Sequence, residues 1–158
     1  MKKYKGFTLI EILIVLVVIG ILSSMMVIAS NESTTTAKAS NIVSNLRNFS
    51  MAAMAYYTDN VDNLPDDIDL TGKVKDYLHN EGKIIDGEKY FVIRDDQNTW
   101  WAMYDFGSTA DSRVQEKLSG RAESANLLGT KTNTPPTTES TYKSERYVWL
   151  KIRSSKKK

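Results

Sequence analysis

Between Lys5 and Glu32 the chain carries one charged residue, Glu11, inside an apolar run that extends from Phe7 to Ala29. Wound as a helix at 1.5 Å per residue, that run is roughly 35 Å long, enough to cross the hydrocarbon core of a bilayer. Its apolar face is made by Phe7, Leu9, Ile10, Ile12, Leu13, Ile14, Val15, Leu16, Val17, Val18, Ile19, Ile21 and Leu22, with Gly20 among them. Lys2, Lys3 and Lys5 precede it and form a basic leader that the positive-inside bias keeps in the cytoplasm. The expected element is a single-pass helix with its amino end inside and the rest of the chain outside. A carboxylate in that position needs a reason, because on insertion scales it costs about 3 kcal/mol well inside the bilayer.

Three readings compete for this segment. In the first, Val27, Ile28 and Ala29 place an aliphatic and a small residue before a signal-peptidase cut, which releases a secreted protein beginning at Ser30. In the second the helix is a plain anchor. Neither uses Glu11, and a leucine would serve both better. In the third, the chain is cut after Gly6, and the new α-amino group on Phe7 becomes a cation near Glu11 of its own chain or of an identical neighbour. Two unit charges about 4 Å apart at an effective dielectric near 20 attract by roughly 4 kcal/mol, comparable to the insertion cost.

The residues that favour the third reading also carry a resemblance. Gly6, Phe7, Thr8, Leu9, Ile10 and Glu11, followed by aliphatic residues and Ile19-Gly20-Ile21-Leu22, resemble the amino-terminal segment of bacterial type IV pilins and of the pseudopilins of type II secretion and competence systems. The match covers roughly residues 2 to 30. The resemblance implies cleavage after Gly6 by a membrane-embedded prepilin peptidase, N-methylation of Phe7, and guidance of each subunit by Glu11 onto a growing helical filament. It further implies an inner-membrane assembly platform, contact with membrane lipid before assembly, and identical or homologous pilin subunits as partners. Family members often carry a proline shortly after the Ile-Gly-Ile-Leu stretch, where this chain has Ile28. The residues beyond, Asn31 to Thr36, are poor helix formers, so a weak point is expected at residues 29 to 36.

Helical periodicity resumes after it. Ala39, Ile42, Val43, Leu46, Phe49, Ala53 and Tyr56 recur at three- and four-residue steps, and Lys38 and Arg47 are the only charges between Ser33 and Thr58. Such scarcity of charge on both faces suggests that the second face also meets protein, the alternative being an ordinary amphipathic helix. The expected organisation is a cleaved leader (1–6), a membrane or filament-core half of the helix (7–29), an amphipathic half (30–58) and a globular head (59–158).

Within the head, Asp59 to Asp67 with Pro65 ends the helix, and Leu70 to Leu78 predicts a short helix. Residues 89–106 read as a hairpin about a turn at Asp95 to Asn98. Tyr90, Val92 and Arg94 share one face of its first strand and Phe91 and Ile93 the other; Trp100, Ala102, Tyr104 and Phe106 share a face of the second. Trp100 and Trp101 therefore point oppositely, so one is either exposed for contact or packed at a sheet edge under a loop. Ser108 or Thr109 is expected to cap a helix that continues through Leu118 and stops at Gly120. A polar loop at 130–140 and a final strand at 142–153 follow, the strand with Val148, Leu150 and Ile152 facing one way and Tyr147 and Trp149 the other. The fold class is α+β, a long helix against a small, mostly antiparallel sheet, which is also the architecture that the resemblance implies.

Composition narrows the chemistry. There is no cysteine, so thiol nucleophiles, Cys-ligated zinc, disulfides and lipoprotein anchors are excluded. The net charge of +2 is too small to argue for nucleic acid, and the basic stretch Lys156 to Lys158 reads as a solvated tail rather than a DNA contact. His79 stands alone. Asp59, Asp62, Asp66, Asp67 and Asp69 lack the spacing of an EF-hand loop, although some pseudopilins bind calcium. No phosphate loop or nucleophile and base arrangement is present. The expectation is a non-enzymatic structural subunit without cofactor or metal: a major or minor pilin of a type IV pilus-like filament, with a pseudopilin or a secreted protein as alternatives.

Overall fold

The structure, a computed structural model, describes residues 6–78, 89–138 and 140–154. The chain runs α1 (Leu9–Asp59), α2 (Thr71–Lys75), β1 (Tyr90–Arg94), β2 (Thr99–Asp105), α3 (Ser112–Ala125), β3 (Leu127–Thr130) and β4 (Tyr147–Ser154). The architecture is α+β: the second half of α1 packs against a four-stranded antiparallel sheet of order β1-β2-β4-β3.

α1 is one helix of 51 residues, with no break at 29 to 36. The sequence expectation of a weak point there is corrected by local chemistry. Thr34 donates its hydroxyl to the Ser30 carbonyl at 2.9 Å, Thr35 to Asn31 at 2.8 Å and Ser40 to Thr36 at 2.9 Å. Side chains counted as competitors of the helix are thus folded back onto its own carbonyls. A tertiary prop adds to this, since Thr35 is buried and Glu32 pairs with Lys117 of α3 at 2.9 Å. At the far end Asn60 closes the helix, its backbone N–H and its side-chain amide both donating to the Tyr56 carbonyl.

The stripe Ala39, Ile42, Leu46, Phe49, Ala53 and Tyr56 is buried against the sheet face made by Tyr90, Val92, Trp100, Ala102, Phe106 and Val148. Phe49 stacks on Tyr90 at 5.5 Å, and Trp100 meets Tyr57 edge-on at 5.5 Å. The Arg153 guanidinium lies 3.8 Å from the centre of the Tyr57 ring, joining the end of β4 to the end of α1. Burying each such large apolar side chain stabilises the head by about 1.5–3 kcal/mol, so this layer holds the sheet on the helix. The opposite sheet face has its own smaller cluster of Trp101, Met103, Tyr147 and Trp149, packed with Phe91, Ile93 and Leu128.

Trp100 and Trp101 do point to opposite faces, and both are buried. Neither lies at a sheet edge, because β2 pairs on both sides. The Trp101 indole N–H donates to Asp95 at 2.9 Å and that of Trp149 to the Thr130 hydroxyl at 2.7 Å. Asp95 also accepts the N–H groups of Gln97 and Thr99, shaping the β1–β2 turn in which Asn98 takes a left-handed φ of 59°. Pairing between β2 and β4 shifts after Trp100, which opposes Arg153 while Trp101 opposes Lys151, leaving Ile152 as the extra residue of a bulge.

Several boundaries differ from the sequence expectation, α2 being confined to Thr71–Lys75 of the expected 70–78. α3 starts at Ser112, capped by Asp111 rather than by Ser108 or Thr109, and passes through Gly120 to Ala125. Gly120 is exposed and its absent side chain costs only about 1 kcal/mol, too little to stop a helix whose Val114, Leu118, Ala122 and Ala125 are buried. Asn126, in the left-handed region at φ 54°, ends it. β3, a strand not expected from the sequence, follows at once and occupies the first position of the expected 130–140 loop. β4 begins at Tyr147, not at residue 142; Tyr142 is instead tucked into the main core beside Phe106, and burial pushes its phenol pKa up.

Candidate functional site

The amino end of α1 is built by a reciprocal cap. Thr8 sits in extended geometry at the N-cap, and its hydroxyl accepts the Glu11 backbone N–H at 3.3 Å. In return the Glu11 carboxylate accepts from the Thr8 backbone N–H at 2.8 Å and from the Thr8 hydroxyl at 2.7 Å. The pattern of Thr followed three residues later by Glu dictates this closure, and it places a negative group where unpaired helix N–H groups present partial positive charge. With residues 1–6 still attached, Phe7 has no free amine, and Thr8 supplies the donors that Glu11 accepts.

Gly6 and Phe7 lie just ahead of this cap in an exposed, non-helical segment, Phe7 being 85% exposed. Beyond the cap, Leu9, Ile10, Ile12, Leu13, Ile14, Val15, Leu16, Val17, Val18, Ile19, Ile21 and Leu22 are all exposed, and the Ser24 hydroxyl donates to the Ile21 carbonyl at 2.8 Å. The helix is long and apolar enough to cross a membrane, and none of its most apolar stretch is covered by the head. An aliphatic surface of this extent has to be covered by lipid or protein.

The structure places Gly6 and Phe7 ahead of the N-cap of α1 and Glu11 in its first turn, with the apolar stretch following. Lys2, Lys3, Lys5, His79 and Lys156 to Lys158 lie outside the described residues. The acidic stretch does not converge: Asp67 is held by Lys73 at 2.6 Å and Asp69 accepts the Thr71 N–H at 2.9 Å. Among the described residues no three His, Cys, Asp or Glu side chains gather as a metal site would need.

One surface that sequence reasoning missed lies on the outer sheet face. A cleft of about 750 Å³ runs between the β1–β2 turn and the loop carrying Pro135 and Pro136, with Trp101 and Met103 at its base and Lys151 at its side. Lys151 places its ammonium 5.7 Å from the Trp101 ring centre. The loop's composition marked it as polar and irregular but gave no sign of which strand it would lie over.

Residues 1–27 match the family described as the prokaryotic N-terminal methylation motif. Comparisons with curated proteins and with solved structures give no match. The family that this motif marks is structural, and the motif implies pilin subunits as partners and processing by prepilin peptidase in general. Together with the bare apolar helix it is consistent with membrane anchoring before assembly. Residues 1–27 thus resemble the prepilin-type cleavage and methylation segment of type IV pilins and pseudopilins.

Proposed function

We propose that the chain is a major or minor subunit of a type IV pilus-like filament, cleaved after Gly6 and methylated on Phe7. The carrying observation is the division of α1 into a bare aliphatic half and a half that belongs to the head. Before assembly the bare half rests in the inner membrane with Lys2, Lys3 and Lys5 in the cytoplasm. In the filament the same half packs against copies of itself, and Glu11 pairs with the amino group of Phe7, its own or a neighbour's. Cleavage creates a cationic donor next to the carboxylate, and methylation keeps that amine basic, so Glu11 can exchange its Thr8 contacts for an ion pair in a dry core. An inner-membrane assembly platform would lift each subunit from lipid into the fibre.

Mass spectrometry of the mature protein tests this directly. Methylated Phe7 as the first residue is expected. A mature protein beginning at Ser30 would instead identify a secreted protein released by signal peptidase and end the proposal.

A further inference from the structure

Where α1 and α3 lie together, a groove of about 520 Å³ is lined by Ser40, Ser44, Arg47 and Asn48 from α1 and by Arg121 and Ser124 from α3. No acidic side chain lines it. Arg121 donates to the Ser40 hydroxyl, and neither arginine has an ion-pair partner among the described residues. Arg47 is also one of only two charges on α1 between Ser33 and Thr58. Two guanidinium groups in a groove with hydroxyl and amide donors are suited to carboxylates, which such forks bind with two parallel hydrogen bonds.

The chain carries the complement elsewhere. Asp59, the last residue of α1, and Asp62 and Asp66 just beyond it are exposed and have no ion-pair partner among the described residues, whereas Asp67 is neutralised by Lys73. Within one molecule the two groups cannot meet, because Arg47 precedes Asp59 by about 18 Å of rigid helix. Two copies whose apolar halves enter the same membrane are parallel. A shift of roughly 20 Å along the helix axis brings the acidic stretch of one beside the groove of the other.

We infer that this groove receives the Asp59 to Asp66 stretch of a second copy of the chain, with Arg47 and Arg121 pairing the carboxylates of Asp62 and Asp66. A second copy is favoured over a phosphate polymer because the matching acids follow the same helix within seven residues of its end, at a compatible height. Met51, which also borders the groove and is 64% exposed, offers apolar surface that a protein neighbour would bury. The inference rests on the filament reading above and names a contact that sets the stagger between subunits.

The test uses the full-length chain expressed with its assembly system, with sheared filament as the readout. Reversing the groove by Arg47→Glu with Arg121→Glu, or the acids by Asp62→Arg with Asp66→Arg, should each lower the yield about tenfold or more, and combining all four should restore it to within about threefold of wild type. Arg47→Glu alone, which leaves the Arg121 to Ser40 contact in place, should act in the same direction. Because the chain has no cysteine, Ser44→Cys with Asp62→Cys gives a second readout, a ladder of disulfide-linked subunits in filaments and none in membrane-dispersed protein. Normal yield from the arginine reversals, absence of both rescue and ladder, or loss of DNA retention with assembly unaffected would each overturn the inference. In those cases wild-type filaments and methylated Phe7 would remain, whereas failure of the filament reading would remove both.

Discussion

The two halves of α1 obey the same helical geometry and differ in almost everything else. From Leu9 to Met26 the large apolar side chains are about half exposed or more, while in the second half Ala39, Leu46 and Ala53 are fully buried and Phe49 nearly so. The first half gains nothing from the head and depends on whatever apolar medium surrounds it. The second half is held by aromatic stacking and by α3, and would remain helical in water. One continuous element therefore serves two solvents, and the division between them falls near the hydroxyl-rich turns at Ser30 to Thr36, where Glu32 meets Lys117.

The largest expected effect separates the halves. Phe49→Ala should lower the unfolding free energy by about 3–5 kcal/mol, read from tryptophan fluorescence of the full chain in detergent during urea unfolding, while Leu16→Ala should stay within about 0.5 kcal/mol of wild type. A comparable loss from Leu16→Ala would break the comparison. Gly129 sharpens it within the head. A Cβ there would collide with a Glu145 carboxylate oxygen and lie 3.1 Å from the Tyr142 ring, so Gly129→Ala must displace the side chain that accepts the Lys143 and Ser144 N–H groups. The same assay should show a loss of about 1–3 kcal/mol.

Glu11→Ala should do the reverse, leaving the urea midpoint and the cut after Gly6 unchanged while filament yield falls about tenfold. A normal yield would sever the proposed link between the capped carboxylate and assembly. Acid should weaken the head through a carboxylate held by an arginine. Arg146 holds the Asp105 carboxyl below the usual carboxylate range through bonds of 2.8 and 2.9 Å, with the Gly107 N–H adding to it. A depressed folded pKa stabilises above the unfolded value and loses that contribution as pH falls through the folded one. Thermal stability should therefore drop on acidification below about pH 4, and Arg146→Leu should flatten that dependence. The smallest effect is expected of Glu32→Gln, a salt-sensitive loss of amide-exchange protection confined to residues 30 to 36.

How much of this was readable in the residues follows from how local each signal is. The long helix, the α+β class and the opposite orientation of Trp100 and Trp101 are written in periodicity, and the Thr8 to Glu11 cap in a four-residue spacing. Continuity through Asn31 to Thr36 was not readable, because propensity treats hydroxyls as competitors of the helix and is blind to Lys117 arriving from α3. Gly120 misled for a related reason: the four buried side chains of α3 outweigh one exposed glycine. Leu127 to Thr130 has too little alternation to be seen alone and becomes a strand by pairing with β4. The Arg47 and Arg121 groove unites residues far apart in sequence, of which only Arg47 stood out, as a rare charge on the spine.

The position of β4 has a consequence for how the molecule is made. It lies between β2 and β3 although it follows both in the chain, so until β4 has been synthesised β2 has only β1 beside it and β3 has no sheet neighbour. Until then the earlier strands wait, with Trp101 and Met103 lacking the Tyr147 and Trp149 side chains that cover them, and closure comes as a late step dominated by contacts distant in sequence. A head of this topology is at its most vulnerable to proteases and aggregation in the interval just before its final strand emerges.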